Sequence, residues 1–183
     1  MNWDRVVRVL GAETLAYLKH RKVAVIGMGS GGGFVALGLA MSGVGNFVLM
    51  DDDLLEVPNL VRHVADRRDL GRPKVQAVAD LIRHRNPEAD ITAIEGRVES
   101  HADWLEDVDL VICAVDGEGT KFQINELCLT RQLPAIYAGV YERGEGGDVV
   151  MIYPNVGPCY ACWAANLRDG AQSTAPDGSV ELD

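Results

Sequence analysis

The sequence predicts an α/β fold, a mostly parallel sheet with helices on both faces. Three observations carry this prediction: short, nearly continuous apolar runs, segments of helical period between them, and a glycine-rich turn joining the first run to the first such segment. Lys22–Gly27, Asn46–Met50 and Val108–Val115 read as strands covered on both faces, because no polar residue alternates through their centres. Ile91–Ile94, Leu133–Gly139 and Asp148–Tyr153 read as further strands. Gly31–Ser42, Pro73–Arg85 and Gly117–Arg131 have helical spacing. In the second of these, Val75, Val78, Ala79 and Ile82 recur every three or four positions, Pro73 suits a first turn, and Asn86-Pro87 stops the helix. Strand–helix–strand alternation places successive strands parallel, through right-handed crossovers.

Composition narrows the function. The chain has 183 residues, enough for one domain, with 17 basic and 27 acidic residues for a net charge of −10. That balance argues against nucleic-acid and anionic-membrane partners, which favour a basic face. Aromatics at 6% leave few platforms for stacked bases. Residues 1–22 carry charges throughout and have no apolar core before a small-residue cleavage site, so a cytoplasmic location is expected. Residues 1–168 are expected to form the domain, and 169–183 a loose tail with little to bury.

The glycine turn is the first chemical signal. Gly27, Gly29 and Gly32 make a GxGxxG pattern at the end of a predicted strand and the start of a predicted helix, with Ser30 inside it. Such a turn lets a phosphate or ribose approach the backbone, and the helix start offers free N–H groups to an anion. Asp51, at the end of the second strand, is placed for ribose hydroxyls, with Asp52 and Asp53 beside it. The plainer alternative is a ligand-free turn beside a solvated acidic run. These elements read the adenosine half that NAD and ATP share, so they leave the nucleotide open.

The stretch after Asp51 discriminates better. A dehydrogenase usually passes directly from its ribose acid into a helix. Here some twenty residues intervene and carry Asn59, Arg62 and Lys74, which could converge on a triphosphate. Singly, each has a bland reading: Asn59 a turn residue after Pro58, Arg62 a surface charge, Lys74 an exposed first-turn side chain.

Together the motifs resemble the ThiF/MoeB-type superfamily, the ATP-dependent activating enzymes of ubiquitin-like and sulfur-carrier proteins. The resemblance rests on Gly27–Gly32, Asp51–Asp53, Asn59–Arg62, Gly71–Lys74, Asp116 after Cys113-Ala-Val, and Pro158-Cys159-Tyr-Ala-Cys162, in family order from about Arg5 to Ala165. It implies a Rossmann-like adenylation domain preceded by a helical segment over residues 1–21. It further implies ATP as substrate, with Asp51 on the ribose and Asp53 in the same pocket. Asn59, Arg62 and Lys74 would hold the phosphates, and Asp116 would hold Mg²⁺. Arg5 would match an arginine that reaches the neighbouring subunit's nucleotide, making a homodimer the active unit. The implied reaction is adenylation of the free C-terminal carboxylate of a ubiquitin-like or sulfur-carrier protein. An NAD-dependent oxidoreductase and a non-catalytic subunit of an activating-enzyme dimer are the alternatives. Three positions depart from the pattern: Ser30 replaces a common Gly, Gly117 a common Asn, and Lys121 a common Arg, while Asn125 is kept. The bland alternative for Asp116 is a cap on the following helix; for Arg5, a solvated residue on an amphipathic helix.

Of the four cysteines, Cys113 in a strand and Cys128 in a helix are expected to be core residues. Cys159 and Cys162 are expected to be half of a structural zinc site, with a redox pair as the other reading. The resemblance implies a second Cys-x-x-Cys and, in thioester-forming members, a catalytic cysteine beyond Asp183, so the C-terminal part of the family architecture is expected to be missing.

Overall fold

The structure, a computed structural model, describes residues 2–100, 104–140 and 146–168. His101 and the expected tail 169–183 lie outside the described residues. The chain divides into two compact units, Met1–Asp109 and Leu110–Asp183.

The first unit runs α1 (Asp4–Leu10), α2 (Ala12–Lys19), β1 (Lys22–Ile26), α3 (Ser30–Met41), β2 (Asn46–Asp51), α4 (Lys74–Arg85) and β3 (Asp90–Glu95). β2 lies between β1 and β3 and is parallel to both, with Val25 opposite Leu49 and Phe47 opposite Ile91. Ala24, Val25, Leu49 and Met50 are buried, as the continuous apolar runs predict. α4 buries Val75, Val78, Ala79 and Ile82 as its stripe. Pro73 caps this helix in an extended conformation (ψ 132°) rather than opening its first turn, so Lys74 is the first helical residue.

α3 has an unusual division of residue sizes. Its inward face is Gly32, Gly33, Ala36 and Ala40, all buried, whereas Phe34, Val35 and Met41 face outward and are exposed. Small residues inside let the helix lie close to its neighbours, and Val64 sits only 2.9 Å from where a Cβ on Gly33 would stand. At the turn into β2, the Gly45 N–H donates to the Leu18 carbonyl (3.2 Å). A Cβ at Gly45 would stand 1.9 Å from the Lys19 carbonyl oxygen, so the backbone itself occupies the side-chain position.

The second unit runs β4 (Leu110–Cys113), α5 (Glu118–Arg131), β5 (Ala135–Val140), β6 (Gly147–Ile152) and α6 (Tyr160–Arg168). β5 is parallel to β4 and antiparallel to β6. The link from Val140 to Gly147 is too short for a helical crossover, and a return of that length reverses the strand. Val111, Cys113, Ile124 and Tyr137 form the buried centre of this unit. The Tyr160 ring stacks on Tyr137 with centroids 4.3 Å apart, pinning the start of α6. None of the described helices is long and apolar enough to cross a membrane.

Cys113 and Cys128 are buried, as expected of core residues. Burial pushes each thiol from an ordinary value near 9 up to about 12. Both therefore keep their protons in the folded state where the unfolded chain loses them, so stability is intact below pH 9 and falls as pH rises toward 12. Each thiol contributes up to about 1.4 kcal/mol per pH unit in that window. Urea midpoints measured from pH 8 to 11 are expected to fall, and to fall less steeply in Cys128→Ala.

Candidate nucleotide site

The glycine turn begins where β1 ends. Gly27 has φ +90°, a conformation other residues rarely adopt, and its N–H continues the ladder by donating to the Met50 carbonyl (2.8 Å). Gly29 then caps α3 without a side chain, so no cap side chain takes up the first-turn N–H groups. The Asp51 carboxylate holds this turn in place. It accepts from the Met28 N–H (2.6 Å) through one oxygen and from the Asp53 N–H (2.8 Å) through the other. Burial raises its pKa, while those two N–H groups and the positive charge of Lys74 act in the opposite direction.

The three adjacent acids are not an idle solvated run, because each has its own partner. Asp52 pairs with Arg97 (2.6 Å), which holds its carboxyl below the usual range despite some burial. Asp53 pairs with Lys74 (2.5 Å), and its carbonyl also accepts the Lys74 N–H (2.9 Å). The Lys74 side chain is only 9% exposed and that of Asp53 is 64% exposed, so a buried cation is presented through a carboxylate that meets water. The bland reading of Lys74 as an exposed side chain does not hold.

Arg62 is exposed and reaches the same helix start. Ser30 Oγ donates to the Arg62 carbonyl (2.7 Å), and the Arg62 guanidinium lies 3.4 Å from that hydroxyl. The first unit thus brings together Gly27, Gly29, Ser30, Gly32, Asp51, Asp53, Arg62 and Lys74 at the mouth of β1 and β2. Asn59 has a structural task there: its side-chain oxygen accepts the Glu56 N–H (3.0 Å) and closes a capping box on the 3-10 turn Val57–Asn59. Its carbonyl takes the N–H groups of Arg62 (3.0 Å) and His63 (2.9 Å), so it also shapes the arginine's approach.

The sequence assigns no task to His63, and the structure does. It is buried, with Nδ1 accepting the Ala65 N–H (3.0 Å). The ring proton is thereby placed on Nε2, which donates to the Met28 carbonyl (2.7 Å) inside the glycine turn. The only signal in the sequence is its place next to Arg62. His63→Phe leaves both backbone groups unpaired and is expected to cost about 1–3 kcal/mol in urea unfolding.

Arg5 is exposed on α1. In the second unit, Asp116 is exposed after β4, and the cap of α5 is Gly117 with no side-chain hydrogen bond, so Asp116 does not serve as that cap. One departure from the family pattern, Lys121, is built into the packing there. Lys121 pairs with Glu118 (2.7 Å), both are buried, and the Tyr160 hydroxyl donates to the same carboxylate (2.9 Å). The Tyr160 N–H donates to Asn125 Oδ1 (3.0 Å), which ties the cysteine turn to α5.

Cys159 and Cys162 Sγ atoms lie 3.6 Å apart, a spacing that suits two thiolates on one tetrahedral ion. Burial pushes the Cys159 thiol up, but the Cys162 N–H and thiol, the Asn125 amide and the Ala161 N–H together hold it below its ordinary value. Among the described residues, no further His, Cys or acidic group joins these two as a metal ligand.

Residues 3–181 match the pattern of the ThiF family. The chain is similar to the SAMP-activating enzyme E1 of Haloferax volcanii, with 31% identity over 84% of this chain and 57% of that protein. It is similar to the molybdopterin-synthase adenylyltransferase of Salmonella typhimurium, with 32% identity over 97% of this chain and 72% of that protein. Among solved structures, the E. coli tRNA N6-threonylcarbamoyladenosine dehydratase in complex with ATP superposes with a TM-score of 0.72 and 26% identity, over 76% of this chain and 59% of that one. The chain spans little more than half the length of the first relative and of the solved structure. The mostly parallel, Rossmann-like architecture expected from the sequence is the one these neighbours share. With nearly its whole length matched, the chain belongs to the ThiF family.

Proposed function

We propose that this protein binds ATP and adenylates the C-terminal carboxylate of a ubiquitin-like or sulfur-carrier protein. The observation that carries the reading is the Arg62 guanidinium at the uncapped N-terminus of α3, together with the buried Lys74 on Asp53, two residues from the ordered carboxylate of Asp51 that holds the glycine turn. A helix start with a cation on it and a second cation on the neighbouring acidic run suits a polyphosphate better than the single pyrophosphate bridge of NAD. The names of the relatives support the same reading: one is a SAMP-activating enzyme E1, another a molybdopterin-synthase adenylyltransferase, and a third a sulfur carrier protein ThiS adenylyltransferase.

In the proposed reaction a carboxylate oxygen attacks the α-phosphorus of ATP. The bond from that phosphorus to the bridging oxygen breaks, and pyrophosphate leaves with the electron pair. Arg62 and Lys74 are assigned to the charge that grows on the leaving group, and Asp51 to the ribose; the step needs no side-chain nucleophile. Asn59 orients Arg62 through its backbone. Asp116 is the proposed holder of Mg²⁺, because its carboxylate is exposed and is not spent on capping α5. Mg²⁺ held there would neutralise phosphate charge. Cys159 and Cys162 are proposed as two ligands of a structural zinc. The chain is further proposed to act as a cytoplasmic homodimer, with the exposed Arg5 of one copy directed to its partner's nucleotide.

Paired calorimetric titrations with Mg²⁺·ATP and with NAD test the reading. ATP is expected to bind more tightly than NAD, and Lys74→Ala to weaken ATP alone. Tighter NAD binding would move the chain to the oxidoreductases, and binding of neither would favour a non-catalytic subunit.

A further inference from the structure

The start of α5 buries polar groups that the proposed reaction does not use. Glu118 and Lys121 pair at 2.7 Å with side chains only 7% and 10% exposed. The Tyr160 hydroxyl donates to both oxygens of the same carboxylate (2.9 and 3.2 Å). A pair buried this deeply gives little net stability, because the desolvation of two charges offsets their attraction. Its effect is geometric: a partner that leaves its place strands a charge in the interior.

That geometry bears on Asp116. Its carboxylate stands on the short link 114–117, between Cys113 at the buried end of β4 and Glu118 at the first position of α5. Gly117 gives α5 no side-chain cap, so the helix start is not held from in front. It is held from inside. Lys121 lies against β5, where a Cβ on Gly139 would stand 3.4 Å from its Nζ. Glu118 is tied to Lys121, and Tyr160 ties Glu118 to α6. The far end of the link that carries Asp116 is therefore anchored by the ion pair and the tyrosine.

Tyr160 also belongs to the cysteine turn, directly after Cys159 and two positions before the exposed Cys162. Its N–H donates to Asn125 Oδ1 (3.0 Å), and the Asn125 amide bears on the Cys159 sulfur. Its ring stacks on Tyr137, a contact that phenylalanine would make equally well. The hydroxyl has a different use, and Glu118 is what it reaches. One residue thus joins the cysteines to the helix start that follows Asp116, with every tie inside the second unit.

We propose that Tyr160 is a positioning residue for Asp116, and that with Glu118 and Lys121 it makes the cysteine turn a control on how tightly Asp116 holds Mg²⁺. This rests on the proposed role of Asp116. Whatever draws Cys159 and Cys162 onto one ion fixes Tyr160, and with it the first turn of α5. By linkage, each site then favours occupancy of the other by the same factor.

Calorimetric titration of the full chain with ATP, once with Mg²⁺ and once with EDTA, tests it. Tyr160→Phe removes only the hydroxyl. It is expected to bind Mg²⁺·ATP about tenfold more weakly than the parent, the scale on which groups behind a metal ligand act, and to bind metal-free ATP equally well. In an Asp116→Ala background the same change should add nothing, since it acts through that carboxylate. Ile124→Val, a buried change in α5 outside the network, lowers the thermal midpoint but should leave both affinities unchanged. A second readout addresses the cysteines. Saturating Mg²⁺·ATP is expected to slow alkylation of Cys162 by iodoacetamide about fivefold in the parent, and not in Tyr160→Phe. Equal Mg²⁺·ATP affinity in parent and Tyr160→Phe overturns the positioning role, and so does a loss that persists without Mg²⁺ or recurs in Ile124→Val. Alkylation indifferent to Mg²⁺·ATP in the parent overturns the link to the cysteine turn. A parent that binds no ATP at all fails the adenylation reading itself, and the positioning role with it.

Discussion

Lys74→Ala is expected to lower carrier-dependent ATP–pyrophosphate exchange by at least about a hundredfold, the scale set by loss of one charge-stabilising group at a reacting phosphate. The structure makes this variant interpretable. The Lys74 side chain is buried against its surroundings, but the Asp53 carboxylate it leaves behind is largely exposed and becomes an ordinary solvated acid. The fold should therefore survive, as thermal unfolding can verify, and the loss should appear as weakened ATP binding and slowed exchange together. Lys74→Arg is a sharper control: a larger planar cation at a buried position cannot restore the contact with Asp53, so activity should stay low even though charge is retained. Asp116→Ala is expected to lower exchange on the same scale. Unimpaired exchange in both Lys74→Ala and Asp116→Ala would sink the assignment of these residues.

Gly45→Ala is expected to have the largest effect on stability of any single-methyl change in the first unit, about 3 kcal/mol, read as a lowered urea midpoint. The cause is backbone meeting backbone. The added carbon would stand 1.9 Å from the Lys19 carbonyl oxygen, and no rotamer change can relieve that contact. Moving the chain to make room would also pull the Gly45 N–H away from Leu18, loosening α2 from the start of β2. A midpoint unchanged from the parent would mean that this turn is free to shift, against the close approach seen here.

The parts of this fold that the sequence reveals are those buried on two sides. β1, β2 and β4 show as unbroken apolar runs because solvent touches neither face, and α4 shows through its single stripe. β6 alternates exposed and half-buried positions, and its direction follows from the short return from Val140, not from any run of residues. α6 is not legible, because its start is held by Tyr160 against residues distant in sequence, Tyr137 and Asn125. In the site, the glycine turn and Asp51 are legible because their spacing is local. The burial of Lys74 is not, since a lysine at a helix start ordinarily points into water, and only its pairing with Asp53 across 21 positions makes burial tolerable. The Glu118–Lys121 pair looks like a surface i,i+3 pair in sequence, and it is the Tyr160 hydroxyl that gives it a buried role. Asn59 resembles a phosphate ligand in sequence, and the structure adds a second task, capping through its side-chain oxygen, which the sequence does not show.

The compactness of the candidate site along the chain bears on how it comes into being. Its members from Gly27 to Lys74 occupy one continuous stretch, and the ties that close it, Ser30 to Arg62 and Met28 to His63, span 32 and 35 positions. Loops of that size close at modest entropic cost, and every strand and helix needed has left the ribosome once residue 109 emerges. The nucleotide cradle can therefore assemble during synthesis, ahead of the residues that follow. On the proposed function, ATP would then bind and stabilise the growing chain before its second unit exists, making the ligand an aid to biogenesis as well as the proposed substrate.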